Sequence, residues 1–162
     1  MKLIVAVDRE WNIGNKGDLL FRLPLDMKFF RTETTGKVVV MGRKTLESFP
    51  NSKPLKKRVN IVLSRDPEYS VDDAIVVPDV ETLTDVLKEY NNDDVYVIGG
   101  EAIYRLLLPL CDTAVITHVD AVAEEADKKF PELSPEEWEL ERIIDEAEDN
   151  GYHVRWCEYK RI

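Results

Sequence analysis

The sequence predicts an α/β protein: a mostly parallel central sheet flanked by helices, with an antiparallel edge at the C-terminus. Three observations predict it. Short apolar runs alternate with helical patterns through residue 119. From Trp138 onward, strand-like runs follow one another with no helical pattern between them. Asn150-Gly151, a pair that suits a tight hairpin turn, separates the last two runs. With 162 residues, 44% hydrophobic and 33% charged, the chain suits one domain over 1–162 with its own core.

The elements follow in order. Residues 3–7 are an apolar run too short for a helix, hence a buried strand. Residues 11–20 hold Gly14 and Gly17 among polar neighbours and read as a mobile loop. Pro24 opens a helix, because its missing N–H is not needed in the first turn. Met27 and Phe30 give that helix an apolar stripe, and it ends near Thr35-Gly36. Residues 38–41 form a second buried strand, and Gly42-Arg43-Lys44-Thr45 leads into a short helix. Residues 50–57, with two prolines, form a loop before a strand at Val59–Leu63. Asp66-Pro67 marks a turn, and Ala74–Val77 a short strand. Asp79 caps a helix running to Tyr90, with Val80, Leu83 and Leu87 inward. A strand over 95–98 runs into Gly99-Gly100, which starts a helix through Leu108, and 114–119 is again a strand. Residues 138–144, where Trp138, Leu140, Arg142 and Ile144 alternate with acidic residues, form a half-exposed strand, and 152–159 the last one.

Composition excludes several functions. The net charge of −10 opposes a general nucleic-acid binder, which carries a basic face. The acidic residues between 124 and 148 read as a solvated surface. No apolar run reaches the ~20 residues that cross a bilayer. The N-terminus meets a charge too soon for a signal peptide, which places the protein in the cytoplasm, away from membranes. Cys111 and Cys157 stand in no motif and read as buried packing residues. His118 and His153 share no ligand spacing, so no metal is expected. No serine, cysteine or histidine has the base and orienting partner of a nucleophilic triad.

Four places can carry chemistry, and all sit where ligands bind in open α/β sheets, beyond the carboxyl ends of strands or beside them. Gly42-Arg43-Lys44-Thr45 offers close backbone approach, charge and a hydroxyl, which suits phosphate; read alone it is equally an ordinary strand–helix turn. Gly99-Gly100 admits a phosphate in the same way, or is simply a tight turn. Ser64-Arg65 suits a phosphate dianion but is also a common exposed pair. Asp26, in the first turn of its helix, favours the helix dipole, which is the plain explanation. It also lies among Leu25, Met27, Phe29 and Phe30, and a carboxylate in an apolar concavity is a candidate ligand or proton-handling group. Such a carboxylate can pair two parallel hydrogen bonds with an amidine-like edge.

These stretches together resemble dihydrofolate reductase. The resemblance is carried by Leu23-Pro24-Leu25-Asp26-Met27-Lys28-Phe29-Phe30-Arg31, by Val40-Met41-Gly42-Arg43-Lys44-Thr45-Leu46-Glu47-Ser48 and by Arg58-Val59-Asn60-Ile61-Val62-Leu63-Ser64. Val97-Ile98-Gly99-Gly100-Glu101-Ala102-Ile103-Tyr104, Ile116-Thr117-His118-Val119-Asp120, Phe130-Pro131 and Trp138 complete it, in the family's order and over nearly the whole chain. It implies NADPH-dependent reduction of dihydrofolate by a monomer, with antifolate-type molecules as further ligands. Asp26 would bind the 2-amino group and N3 of the pterin, with Thr117 linked to it. Ile4, Val5, Ala6 and Ile98 would line the pterin site, Met27 and Phe30 would sandwich the ligand, and Arg58 would take the α-carboxylate of its glutamate tail. Gly42, Arg43, Lys44 and Thr45 would hold the cofactor's phosphates opposite Gly99, Gly100, Glu101, Ala102 and Ile103. The bond between the two glycines is expected to be cis. Ser64 and Arg65 would contact the 2′-phosphate and Tyr104 would sit beside the nicotinamide, with Ala6, Ile13, Gly14, Leu19 and Leu63 also binding the cofactor. Hydride would go to C6 and a water proton to N5, under a loop over 15–21 that closes on the nicotinamide.

The sequence departs from the family at a few points. Phe21 stands for the usual tryptophan and removes an indole N–H donor beside the catalytic pair Asp26 and Thr117. Ala126, before Asp127, replaces a glycine in the outer loop, which bears on how that loop supports its neighbour. Ala102 replaces a frequently basic residue, and the loop over 50–57 is one residue longer than is common. Two other readings compete: a reductase of a related pterin or pyrimidine, against which Arg58 argues, and a non-catalytic folate- or nucleotide-binding protein, for which Phe21 and Ala126 argue.

Overall fold

The computed structural model describes residues 1–162. Strands β1 (Lys2–Val7), β3 (Val38–Gly42), β4 (Val59–Leu63), β5 (Ala74–Val77), β6 (Val95–Gly99) and β7 (Thr113–Val119) alternate with α1 (Pro24–Thr34), α2 (Arg43–Glu47), α3 (Val80–Leu87) and α4 (Glu101–Leu107). The long strands β9 (Trp138–Asp149) and β10 (Tyr152–Arg161) end the chain. One eight-stranded sheet has the order β5-β4-β3-β6-β1-β7-β10-β9. Its first six strands pair in parallel, and β10 runs antiparallel to both β7 and β9. The fold class is the expected one.

Strand parity decides the two faces, because successive side chains point to opposite sides. Leu3, Val5, Val7, Val38, Val40, Val95 and Val97 share a core with Leu83 of α3 and Leu107 of α4. The alternate residues Val39, Met41 and Val62 pack with Leu46 of α2, while Ile4, Tyr96 and Val115 meet Phe29 and Phe30 of α1. The central strands are apolar on both faces, which is why periodicity reads them as continuous runs.

Three elements differ from the expectation. The loop over 11–20 contains a short strand, β2 (Asn12–Gly14), paired with β8 (Lys128–Lys129); strands this short leave no periodic signal. The helix expected to reach Tyr90 ends at Leu87, because Lys88, Glu89 and Tyr90 donate to carbonyls three residues back and tighten the last turn. β9 runs to Asp149 rather than stopping at Ile144. Two register shifts against β10, around Ile143–Asp145 and Leu140–Arg142, break the alternation. Trp138 is buried, but Leu140 is 49% exposed and Ile143 47%. Asn150 and Gly151 both have positive φ, as a two-residue hairpin turn requires.

That turn delivers Asp149 to the start of α1. Leu23 at the helix N-cap offers no side-chain acceptor. Asp149, 2% exposed, accepts instead from the backbone N–H groups of Leu25 at 3.1 Å and Asp26 at 3.0 Å. A buried carboxylate facing the positive helix end satisfies two donors that the helix itself cannot. Asn150 adds a bond from its side-chain amide to the Arg22 carbonyl at 2.9 Å. Asp149→Ala is therefore expected to cost about 1–2 kcal/mol, the usual worth of a cap. That corresponds to a fall in Tm of roughly 2–8 °C. An unchanged melting curve would remove the capping role.

Candidate active site

Asp26 is reached from three parts of the chain. It occupies the third position of α1, and its Oδ1 accepts from Thr117 Oγ1 of β7 at 2.7 Å and from Trp156 Nε1 of β10 at 3.0 Å. Strand register places both donors: Ala6 pairs with Thr117, and Thr117 with Trp156, so the three lie in one row across β1, β7 and β10. Oδ2 has no protein partner. It faces a cleft lined by Ala6, Ile13, Leu19, Phe21, Leu23 and Met27 among others. Burial pushes the Asp26 carboxyl above its ordinary range; the Thr117 and Trp156 bonds oppose that rise, and the negative charge of Asp149 adds to it.

Of the residues expected to line the site from β1 and β6, Ala6 lines the cleft and Ile4, Val5 and Ile98 do not. Ile4 and Val5 are buried at 5% and 8%, and the Ile4 carbonyl accepts from the Tyr104 hydroxyl at 2.7 Å. Ile98 and Phe30 are half-buried beside them. Met27 and Leu19 stand 56% and 74% exposed, apolar side chains held in solvent at the rim. Phe21 packs edge-on against Tyr152, with ring centroids 4.9 Å apart.

The two glycine turns face each other. Met41 of β3 pairs with Gly99 of β6, so both strands end at one level. A Cβ on Gly42 would lie 2.9 Å from Ile103 Cγ1, and one on Gly100 would lie 3.6 Å from Thr45 Oγ1. The first contact explains why only glycine fits at 42, and together they join the turns into one cradle. Gly99 has a φ of 122° and holds its backbone against the Tyr104 ring. The Gly99–Gly100 peptide is cis, as expected.

The basic residues around the cradle differ in availability. Arg43 is already paired, through Nε to Glu47 at 2.6 Å and through a terminal nitrogen to Asp66 at 3.3 Å, and it stacks 4.4 Å above the Tyr69 ring. It meets an anion only by exchanging these partners. Lys44 and Arg65 are exposed next to it, beyond Leu63, and the Ser64 hydroxyl accepts from the Asp66 N–H at 3.3 Å. Glu101 turns away from the cradle and accepts from the Lys129 N–H at 2.5 Å, while Ala102 is exposed. Beyond α1, the Arg58 guanidinium lies 6.0 Å from the Phe30 ring. Its Nε is buried without a partner, and burial together with the neighbouring charge of Arg31 lowers its pKa. An unpaired buried donor in a doubly positive corner suits an incoming carboxylate.

The loop over 11–20 is tied down from outside. β2 pairs with β8, Asp127 accepts from the Lys16 N–H at 3.0 Å, and the Asp127 N–H donates to the Gly14 carbonyl at 3.0 Å. Ala126 is exposed and has no positive φ, so its Cβ is accommodated and this support is in place.

Sequence reasoning missed Trp156, Asp149 and Arg31. Parity marks Trp156 as inward, but it gives no sign that the indole N–H meets a carboxylate. Asp149 is indistinguishable from the acidic surface run that precedes it. Both thiols are buried, as expected; Cys111 is pushed up to about 12 by burial, and Cys157 is also raised.

A largely desolvated carboxylate on a cleft and, separately, a glycine-lined cradle at the ends of β3 and β6 are the two features of this α/β fold that can carry chemistry. The dihydrofolate reductase family model matches residues 1–161. The dihydrofolate reductase of Haemophilus influenzae is 37% identical over 158 residues, covering 95% of this chain and 94% of that one. The type 3 enzyme of Salmonella typhimurium is 33% identical over 160 residues, 98% and 94% of the two chains. A solved dihydrofolate reductase from Enterococcus faecalis, complexed with NADP(H) and RAB-propyl, superposes with a TM-score of 0.88 at 32% identity, over 99% of this chain and 95% of that one. This chain belongs to the dihydrofolate reductase family.

The raised pKa of Asp26 has a consequence for stability. A carboxyl whose folded pKa lies above its unfolded value binds more protons when folded, so stability falls as pH rises from the unfolded pKa, about 3.9, through the folded one. Asp26→Asn removes that loss, and the carbonyl of the substituted amide still accepts from Thr117 and Trp156. The ligand-free variant is expected to melt higher than the wild type at pH 7 and equally at low pH. A variant that melts lower at pH 7 would show that the carboxylate's bonds outweigh its desolvation.

Proposed function

We propose that this chain is an NADPH-dependent dihydrofolate reductase in which Asp26 holds the pterin and the two glycine turns hold the cofactor. The carrying observation is the half-free, desolvated carboxylate of Asp26 at the cleft floor. Oδ2 and Oδ1 offer acceptors to N3 and the 2-amino group, and Thr117 fixes the carboxylate plane from β7. Ala6 forms the wall from β1, and Met27 and Phe30 cover the ligand. Arg58, assisted by Arg31, takes the α-carboxylate of the tail, for which its orphaned Nε is the support.

The residues fit the cofactor. Gly42 has no room for a side chain, and Thr45 and Gly100 face each other across the cradle. We assign the phosphates to Gly42, Lys44, Thr45, Gly99, Gly100 and the backbone of Glu101, Ala102 and Ile103, with Arg43 joining after it leaves Glu47 and Asp66. Ser64 and Arg65 meet the 2′-phosphate, Tyr104 sits beside the nicotinamide, and Ala6, Ile13, Gly14, Leu19 and Leu63 complete the cofactor site. When bound, NADPH supplies the hydride received at C6 of dihydrofolate. We assign the proton on N5 to water. Asp26 is engaged with the far edge of the ring, and Asp8, the other carboxyl in the cleft wall, accepts from the Glu10, Asn12 and Ala123 N–H groups and the Asn12 amide. Phe21 closes the cleft near Asp26 without offering a donor, and the loop over 15–21, braced by Asp127, controls access of that water.

We further propose one domain over 1–162 working as a cytoplasmic monomer, with dihydrofolate and antifolate-type molecules as partners and neither nucleic acid nor membrane among them. The shared sheet and the net charge of −10 support this, and no helix is long and apolar enough to cross a membrane.

The deciding measurement is the loss of NADPH absorbance on adding dihydrofolate, repeated with NADH. Rapid loss that requires dihydrofolate and is much slower with NADH is expected; binding of both ligands without turnover would leave a non-catalytic folate-binding protein. Asp26→Asn should reduce turnover at neutral pH by orders of magnitude with the fold intact, and near-wild-type turnover would sink the role of Asp26. Replacing Ser64 and Arg65 together by alanine should raise the KM for NADPH at least ~10-fold, the worth of one lost charge-assisted contact, and leave NADH nearly unchanged. Equal weakening of both cofactors would remove the 2′-phosphate assignment.

A further inference from the structure

We propose that Trp156 is a positioning residue for Asp26: its indole N–H holds Oδ1, turns Oδ2 into the cleft and favours the ionised carboxylate that a ligand needs. The inference rests on the reading of Asp26 as the ligand-binding carboxylate.

Trp156 lies on β10, 130 residues from Asp26, and is 3% exposed. Its ring is fixed by Val154, Leu23 and Val119, and by Phe29 of α1 at 5.8 Å between centroids. An indole so held cannot turn its N–H elsewhere. The N–H points at the one carboxylate oxygen that Thr117 also uses, so both donors fall on Oδ1 at 2.7 and 3.0 Å. Two donors on one oxygen fix the carboxylate plane, because rotation would break both bonds. Phe21, which also lines the cleft, has no donor to share this task. Thr117 alone cannot do the same work, since a hydroxyl rotates and accepts as well as donates, whereas an indole N–H only donates. A donor-only partner selects the ionised form.

The charged and titratable groups facing Asp26 are few. Asp149, from the hairpin turn, disfavours the carboxylate by its charge. Tyr104 of α4 stays protonated, because burial raises it well beyond the working range. Trp156 therefore works against both desolvation and Asp149.

The test is binding of 2,4-diaminopyrimidine, whose protonated ring pairs with a carboxylate, measured against pH in the wild type and in Trp156→Phe. Phenylalanine keeps the aromatic packing and deletes the donor. In the wild type, affinity falls on acidification as Asp26 takes a proton. In Trp156→Phe that fall is expected about one pH unit higher, the size of one hydrogen bond to a charged group. A variant that binds with an unmoved acid limb overturns the proposal; a merely structural role changes affinity equally at every pH. The wild-type chain decides if the variant does not fold. The Trp156 indole ¹H–¹⁵N resonance should titrate with the Asp26 carboxyl and lose that titration in Asp26→Asn; a resonance that is flat across the Asp26 transition overturns the contact. A wild type that never binds 2,4-diaminopyrimidine overturns the ligand role of Asp26 instead, while the indole titration still judges Trp156.

Discussion

A carboxylate taken out of water must be met by donors or it neutralises itself, and Asp26 is met by two on a single oxygen. Neither donor is a sequence neighbour. Thr117 comes from the parallel part of the sheet and Trp156 from the antiparallel edge, while Asp149 pins the backbone that carries Asp26. The site thus depends on α1, β7 and the hairpin at once. It also depends on the order of the sheet, because only the sequence β1-β7-β10 puts Ala6, Thr117 and Trp156 in one row. The remaining oxygen is left without a protein partner.

The net charge of −10 describes the surface and not the cleft. Two groups of basic residues stand out: Arg31 beside Arg58, and Arg43 and Lys44 at the start of α2 with Arg65 after β4. Local cationic corners inside an acidic molecule are consistent with tight anion sites and weak general attraction for nucleic acid. The pairing of Arg43 with Glu47 and Asp66 keeps one of these charges satisfied until an anion competes for it.

The strands at Val59–Leu63 and Ala74–Val77 were legible to the residue, because each is an apolar run bounded by breakers. Glycine turns and the Asp79 cap were legible for the same local reason. β9 was legible only in part, since its register shifts against β10 destroy the two-residue period on which the reading depends. Trp156 and Asp149 lay beyond reach on different grounds. Periodicity reports the face on which a side chain lies, and it carries no information about a partner 123 or 130 residues away. Asp26 itself could be singled out from its apolar neighbours, but the oxygen it leaves free follows only from where the hairpin ends.

The C-terminal hairpin is therefore more than a sheet edge. An edge strand in an α/β fold is commonly a place where change is tolerated, yet here one end of the turn caps α1 and the following strand holds the carboxylate. The outer loop performs the corresponding task on the other side. Asp127 and β8 hold the loop beside the cleft, and Glu101 of α4 holds β8 in turn. Two of these links are backbone N–H bonds to carboxylates and the rest are backbone pairs, and all survive the replacement of glycine by alanine at 126 because that position has no positive φ. What the alanine removes is conformational freedom in the loop, not its contacts. The Asp26 side of the cleft is thus set by strands and a helix, and the side lined by Ile13 and Leu19 by a loop tied through a short strand pair and Asp127. Few buried contacts hold that loop, so local opening is easier there than at Asp26.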